Sequence, residues 1–140
     1  MAVPVVLLLC LAAFQSTASA DLLSEYARHA VLDPAEKMKL FWTVDWDAKT
    51  VSFAVEAETT GWVEFGFSNV SGQMIGSDVV IGWVKDNKGY LTDRFITSES
   101  IPPIDKQQDY DLTGSQENDG KTVMKFKRKF DTWRPAGQET

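Results

Sequence analysis

Cysteine is almost absent from this sequence. The single one, Cys10, lies within the first twenty residues, which contain no Asp, Glu, Lys or Arg. Val5 to Leu11 forms an apolar core there, and Ala18-Ser19-Ala20 fits a small-residue cleavage site, the pattern of a secretory signal peptide over residues 1–20. The apolar run is too short to serve comfortably as a membrane anchor. Cleavage after Ala20 would leave residues 21–140 without a thiol, which excludes a disulfide scaffold, a zinc–thiolate site and a cysteine nucleophile. Histidine is as scarce. His29 stands alone, so no Ser-His-Asp arrangement is credible. Basic charge is also in deficit, with 14 Lys and Arg against 20 Asp and Glu and a net charge of −6. That balance argues against nucleic acid as a partner and against tight binding to anionic membranes. No segment after residue 20 is apolar for long enough to span a bilayer. The glycines near Gly72 and Gly76 do not open a helix, so there is no phosphate loop.

Aromatic residues, by contrast, are plentiful, with five tryptophans and eight phenylalanines. Residues 21–32 read as a short mixed leader of weak helical character, ended by Asp33-Pro34. From Lys39 the apolar period becomes two. Leu40, Trp42, Val44 and Trp46 alternate with Phe41, Thr43 and Asp45, and Val51, Phe53, Val55 and Ala57 alternate with Ser52, Ala54, Glu56 and Glu58. The pair predicts a hairpin with one wet face, turning at Asp47-Ala48-Lys49. Trp62 to Phe67, Ser77 to Val84 and Gly89 to Ile96 are further strands, the last two joined by Asp86-Asn87-Lys88-Gly89. Residues 97–108, with Pro102-Pro103, form a long connection. Tyr110 to Thr113 predicts a short strand, and Asn118-Asp119-Gly120 turns the chain into Lys121 to Phe130. About seven short strands with little helix predict an all-β, antiparallel, immunoglobulin-like sandwich.

Asp78 opens an apolar strand. An unpaired buried carboxylate is costly, so Asp78 must be solvated, paired with a cation such as Arg94 or Lys106, or bound to a metal ion. Asp109 and Asp111 flank Tyr110 and would face the same way on a strand. Trp42, Trp46, Trp62 and Trp83 follow the strand period, which predicts core packing; the competing reading makes them walls of a ligand pocket. The row Lys125, Lys127, Lys129 reads as a wet strand face. Asn69-Val70-Ser71 is a sequon, so Asn69 is the expected glycan acceptor.

The run Gly61-Trp62-Val63, Phe65-Gly66-Phe67-Ser68, Gly72, Met74 and Gly76-Ser77-Asp78-Val79-Val80, with Tyr90-Leu91-Thr92-Asp93 and Gln107-Gln108-Asp109-Tyr110, resembles a DOMON domain. It is similar to the N-terminal domain of the dopamine β-hydroxylase-like monooxygenases, which are copper type II, ascorbate-dependent enzymes of the secretory pathway acting on catecholamine-like substrates. The match covers roughly Leu32 to Thr132 and implies a DOMON sandwich over residues 33–132, preceded by the 21–32 leader. The family tends to continue after Phe130-Asp131-Thr132 with a cysteine and at least one more strand. Here a polar tail over residues 133–140 follows instead, which implies an alternative ending or a truncated gene model, with the sandwich one strand short.

The resemblance implies a module that is not catalytic by itself. Its role would be structural or metal-binding, in a homodimer contact or in docking to the copper monooxygenase domains. Copper would belong to those other domains, because a copper centre needs several imidazoles and this chain has only His29. Within the module, the resemblance implies a calcium-like cation held by the carboxylates of Asp78 and Asp109 and the backbone carbonyls of Val79 and Arg94. Some DOMON domains hold haem or sugars. Met74 matches the place of a haem-ligating methionine, yet no histidine follows His29 to supply the second axial ligand.

Overall fold

The computed structural model describes residues 18–68 and 71–132. The cleavage segment before residue 18, Asn69 of the sequon and the 133–140 tail lie outside the described residues. Among these residues one helix, α1 (Ala18–Glu25), precedes eight strands. These are β1 (Arg28–Val31), β2 (Met38–Asp45), β3 (Thr50–Ala57), β4 (Val63–Phe67), β5 (Asp78–Lys85), β6 (Lys88–Phe95), β7 (Tyr110–Asn118) and β8 (Lys121–Lys129). They build a five-stranded sheet in the order β1-β2-β3-β8-β7 and a three-stranded sheet in the order β4-β5-β6, with antiparallel pairing throughout.

Turn chemistry sets the registers. Asp86 and Asn87 both take positive φ (52° and 59°), and so do Asp119 and Gly120 (52° and 75°). Two consecutive left-handed residues match the right-handed twist of a two-residue hairpin. The β5–β6 and β7–β8 hairpins are thereby fixed, with Lys85 opposite Lys88 and Asn118 opposite Lys121. The expected two-sheet sandwich is present. Phe53, Val55, Met124 and Phe126 of the large sheet face Val63 and Val80 of the small one.

Three local expectations differ from the structure. First, the outer face of the β2–β3 hairpin is not wet. Leu22 of α1 lies over it and is 2% exposed, and Phe41, Ala54 and Val123 beneath are buried as well. The Tyr26 hydroxyl donates to the Phe53 carbonyl, and Lys125 pairs with Glu25. The leader thus adds a second small core and an edge strand, β1, in which His29 stands opposite Phe41 and stacks on its ring. Local period alone cannot report a face that a distant segment covers. Second, β7 runs nine residues instead of four. Its polar half, Ser115 to Asn118, is held by pairing with β8 beyond an irregularity between Leu112 and Gly114. Third, Trp46, Trp62 and Trp83 are not core residues. Trp46 is 76% exposed and meets Phe130 edge-on, while Trp62 is 64% exposed on the outer side of the small sheet.

Candidate metal site

Period two makes one end of the small sheet charged on its inner side. On β6, Leu91, Asp93 and Phe95 share a face, and on β5 Asp78 and Val80 share the face that meets them, with Asp78 opposite Phe95 and Val80 opposite Asp93. Asp93 is 1% exposed. The connection between β6 and β7 folds back on this end. Asp105 N–H donates to the Asp93 carbonyl (3.0 Å), and Arg94 and Ile104 form an isolated antiparallel bridge. Gln108 locks the arrangement: its Oε1 accepts from Asp93 N–H (2.8 Å), and its Nε2 donates to the carbonyls of Asp93 (3.1 Å) and Asp105 (2.8 Å). As a result, one carboxylate oxygen from each of Asp78, Asp93 and Asp105 lies within 4.8 Å of the others.

Arg128 answers Asp78. It projects from β8 on the inward side, and its Nη1 donates to Asp78 Oδ2 (3.2 Å) and to the Tyr110 hydroxyl (2.7 Å). Its guanidinium also lies over the Tyr110 ring, 4.8 Å from the centroid, and Nη2 donates to Thr132 Oγ1 (2.5 Å). The pairing expected with Arg94 or Lys106 does not form: Arg94 instead donates to Thr92 Oγ1 and the Pro102 carbonyl. The other oxygen of Asp78, Oδ1, is buried and accepts no hydrogen bond among the described residues. Three carboxylates and one guanidinium carry a formal charge of −2, which one divalent cation would balance. The donor set is all oxygen, which suits calcium, magnesium or manganese and not copper.

Asp78 is in the cluster, and Val79 and Arg94 face each other across the β5–β6 ladder directly beside it. Asp109 is adjacent, its N–H donating to Asp93 Oδ2 (3.0 Å), but its own Oδ1 accepts from Gln107 Nε2 (2.7 Å). Asp93, which stands in the matching motif without being named as a ligand, and Asp105 are the acidic residues that the resemblance did not assign to the ion. Gly66 allows the sheet to close here, because a Cβ at that position would collide with the Asp78 carbonyl and the Val79 side chain.

Burial, and then the negative charge of Asp78, push the Tyr110 hydroxyl up to about 12, with Arg128 opposing. Burial and Glu25 push Tyr26 up to about 12 as well. Both values lie above the ordinary 10.0, so the folded chain holds these protons more tightly than the unfolded chain does. The resulting stability is fully present below about pH 10 and is lost as pH rises towards 12. Tyrosinate absorbance should therefore show two groups ionising near pH 12, and the urea midpoint should fall between pH 10 and 12. Tyr110→Phe should remove one of the two.

The DOMON domain family profile matches residues 34–139. Mouse "DBH-like monooxygenase protein 1" is 36% identical over 126 residues, covering 90% of this chain and 20% of the relative. Bovine "Dopamine beta-hydroxylase" is 31% identical over 135 residues, covering 96% of this chain and 22% of the relative. The chain thus spans about a fifth of the length of these two curated relatives. Among solved structures, the cytochrome domain of Myriococcum thermophilum cellobiose dehydrogenase superposes with a TM-score of 0.60 at 17% identity, covering 79% of this chain and 59% of that one. The cytochrome b domain of Coprinopsis cinerea pyranose dehydrogenase gives 0.59 at 14% identity, covering 79% and 58%. At such identities the likeness shows the fold alone. From the profile match and the sandwich it describes, the chain belongs to the DOMON domain family, with sequence relatives among the DBH-like monooxygenases.

Proposed function

We propose that this chain is a non-catalytic DOMON module of a dopamine β-hydroxylase-like copper monooxygenase, and that it carries a hard divalent cation with a structural role. The observation that carries this reading is the Asp78, Asp93 and Asp105 cluster with its buried, unbonded Asp78 Oδ1. A calcium-like ion there would be held by Asp78, Asp93 and Asp105, with Asp109 and the Val79 and Arg94 carbonyls as the neighbouring oxygens the family pattern names. Its chemistry would be electrostatic: it would tie β5, β6 and the 97–108 connection together by their charges. Arg128, already bound to Asp78, would connect that site through Thr132 to the chain that follows. Docking to copper-bearing domains or a second copy, a secretory-pathway location and a glycan on Asn69 complete this proposal. No helix among the described residues is long and apolar enough to cross a membrane.

Haem fits less well. Met74 is exposed on the loop before β5, whereas His29 lies on β1 of the other sheet, so the two do not form an axial pair.

The test is a melt of the chain after dialysis against EDTA, with and without excess calcium, together with elemental analysis of the untreated protein. At a hundredfold excess over Kd, calcium should stabilise by about 2.7 kcal/mol and raise Tm by roughly 10 °C. Copper and ascorbate should give no hydroxylation of a phenethylamine. Identical melts with no bound calcium would remove the cation reading, and turnover above the blank would remove the non-catalytic one.

A further inference from the structure

The outer face of the small sheet carries a feature that the cation site does not use. Trp62 and Glu64 before and on β4, Ile81 and Trp83 on β5, and Arg94 and Ile96 on and after β6 occupy alternate positions, opposite in phase to the core-facing Val63, Val80 and Leu91. They form the floor of a cleft of about 1160 Å³. The loop at Met74 and Ile75 and the connection at Ile101 and Pro102 form its walls. Small-molecule sites typically span roughly 300–1,000 Å³, so the cleft has room for a ligand of that size. Its lining also leaves apolar groups in water that a closed core would cover. Trp62 is 64% exposed, Met74 66% and Ile101 85%, and all three border the same cleft. Scattered exposed apolar residues need no explanation, but their convergence on one concavity marks a site.

We propose that this cleft binds an amphipathic carboxylate: an apolar aliphatic or aromatic body lying against Trp62, Trp83 and the isoleucines, with its anionic group on Arg94. The cleft itself selects that chemistry. Arg94 is the cation held in place there, since its Nε donates to Thr92 Oγ1 (3.0 Å) and its Nη1 to the Pro102 carbonyl (2.6 Å). Nη2 has no partner among the described residues and remains as a donor. A fixed guanidinium against apolar walls favours a carboxylate that brings its own apolar body. The other charged residues bordering the cleft differ in placement. Lys85 and Glu99 are exposed and free to stay in solvent, and Glu64 stands on β4, two strands from Arg94. Because Arg94 also holds Pro102, it sets the position of the wall that would cover the ligand.

The proposal does not depend on the cation reading, so the assay is run in EDTA. The probe is 11-(dansylamino)undecanoate, titrated into the purified chain while energy transfer from tryptophan is followed. The expected result is saturable one-to-one binding, with the methyl ester of the same acid at least tenfold weaker. Ile101→Glu places a like charge in the cleft at an exposed position that the fold does not use, and it should also weaken the acid at least tenfold with an unchanged melt. Trp62→Ala should weaken binding and reduce the energy transfer. Arg94→Gln should bring the acid down to the affinity of the ester. Non-saturable binding, equal affinities for acid and ester, or an unaffected Ile101→Glu variant would each overturn the proposal.

Discussion

Phe126→Ala is expected to cost about 3–5 kcal/mol, against a total stability of roughly 5–15 kcal/mol for a single domain. Phe126 is 1% exposed on β8, the strand between β3 and β7. Its ring meets Phe53 at 5.5 Å, Phe65 at 6.1 Å and Tyr110 edge-on at 5.8 Å, so it joins both sheets. Neighbours on two sheets cannot both collapse into the space an alanine leaves, which puts the cost towards the upper end for aromatic truncation. The loss should also reach the charged end of the sandwich, because Tyr110 positions Arg128. Urea denaturation should show a lower midpoint with an unchanged slope. A loss below about 1 kcal/mol would mean that the core is organised around other residues.

Much of this arrangement is legible in strand phase, part of the charged site included. Alternation located β2, β3 and β8, and the paired turn residues located the β5–β6 and β7–β8 hairpins. The same alternation places Asp93 between Leu91 and Phe95 on an inward face, and Arg128 two residues after the core residue Phe126. A charge in an inward phase is a signal for a partner, and those two residues supply the buried carboxylate and the guanidinium of the site. Asp105 carries no such signal. It reaches the cluster only because the irregular 97–108 segment is stitched to β6 by Arg94 and Gln108, through contacts that no local pattern encodes. The covering of Phe41 by Leu22 was unreadable for the same reason. Trp62, whose strand-period spacing predicts core packing, is exposed because it stands just before β4 in the phase opposite to the core-facing Val63.

Asparagine variants of the carboxylates should separate two versions of the cation site. If Asp78, Asp93 and Asp105 are the ligands, Asp105→Asn should weaken calcium binding at least tenfold, because charge count tunes affinity in such sites. Asp109→Asn should then change it little, since that carboxylate bonds Gln107. If the family pattern of Asp78 with Asp109 governs, the order reverses, and binding must turn Asp109 away from Gln107. Asp78→Asn should weaken binding under either version. It also takes the negative charge from Arg128, whose side chain is only 16% exposed, so it should lower stability in EDTA too, by about 1–3 kcal/mol. Asp105→Asn leaves the Arg128–Asp78 pair in place, so its effect on calcium can be read apart from that pair. Calorimetric titration of the three variants, with melts in EDTA alongside, reads both effects. Calcium affinity unchanged in all three would place any bound ion elsewhere and leave Asp78 as a structural partner of Arg128 alone.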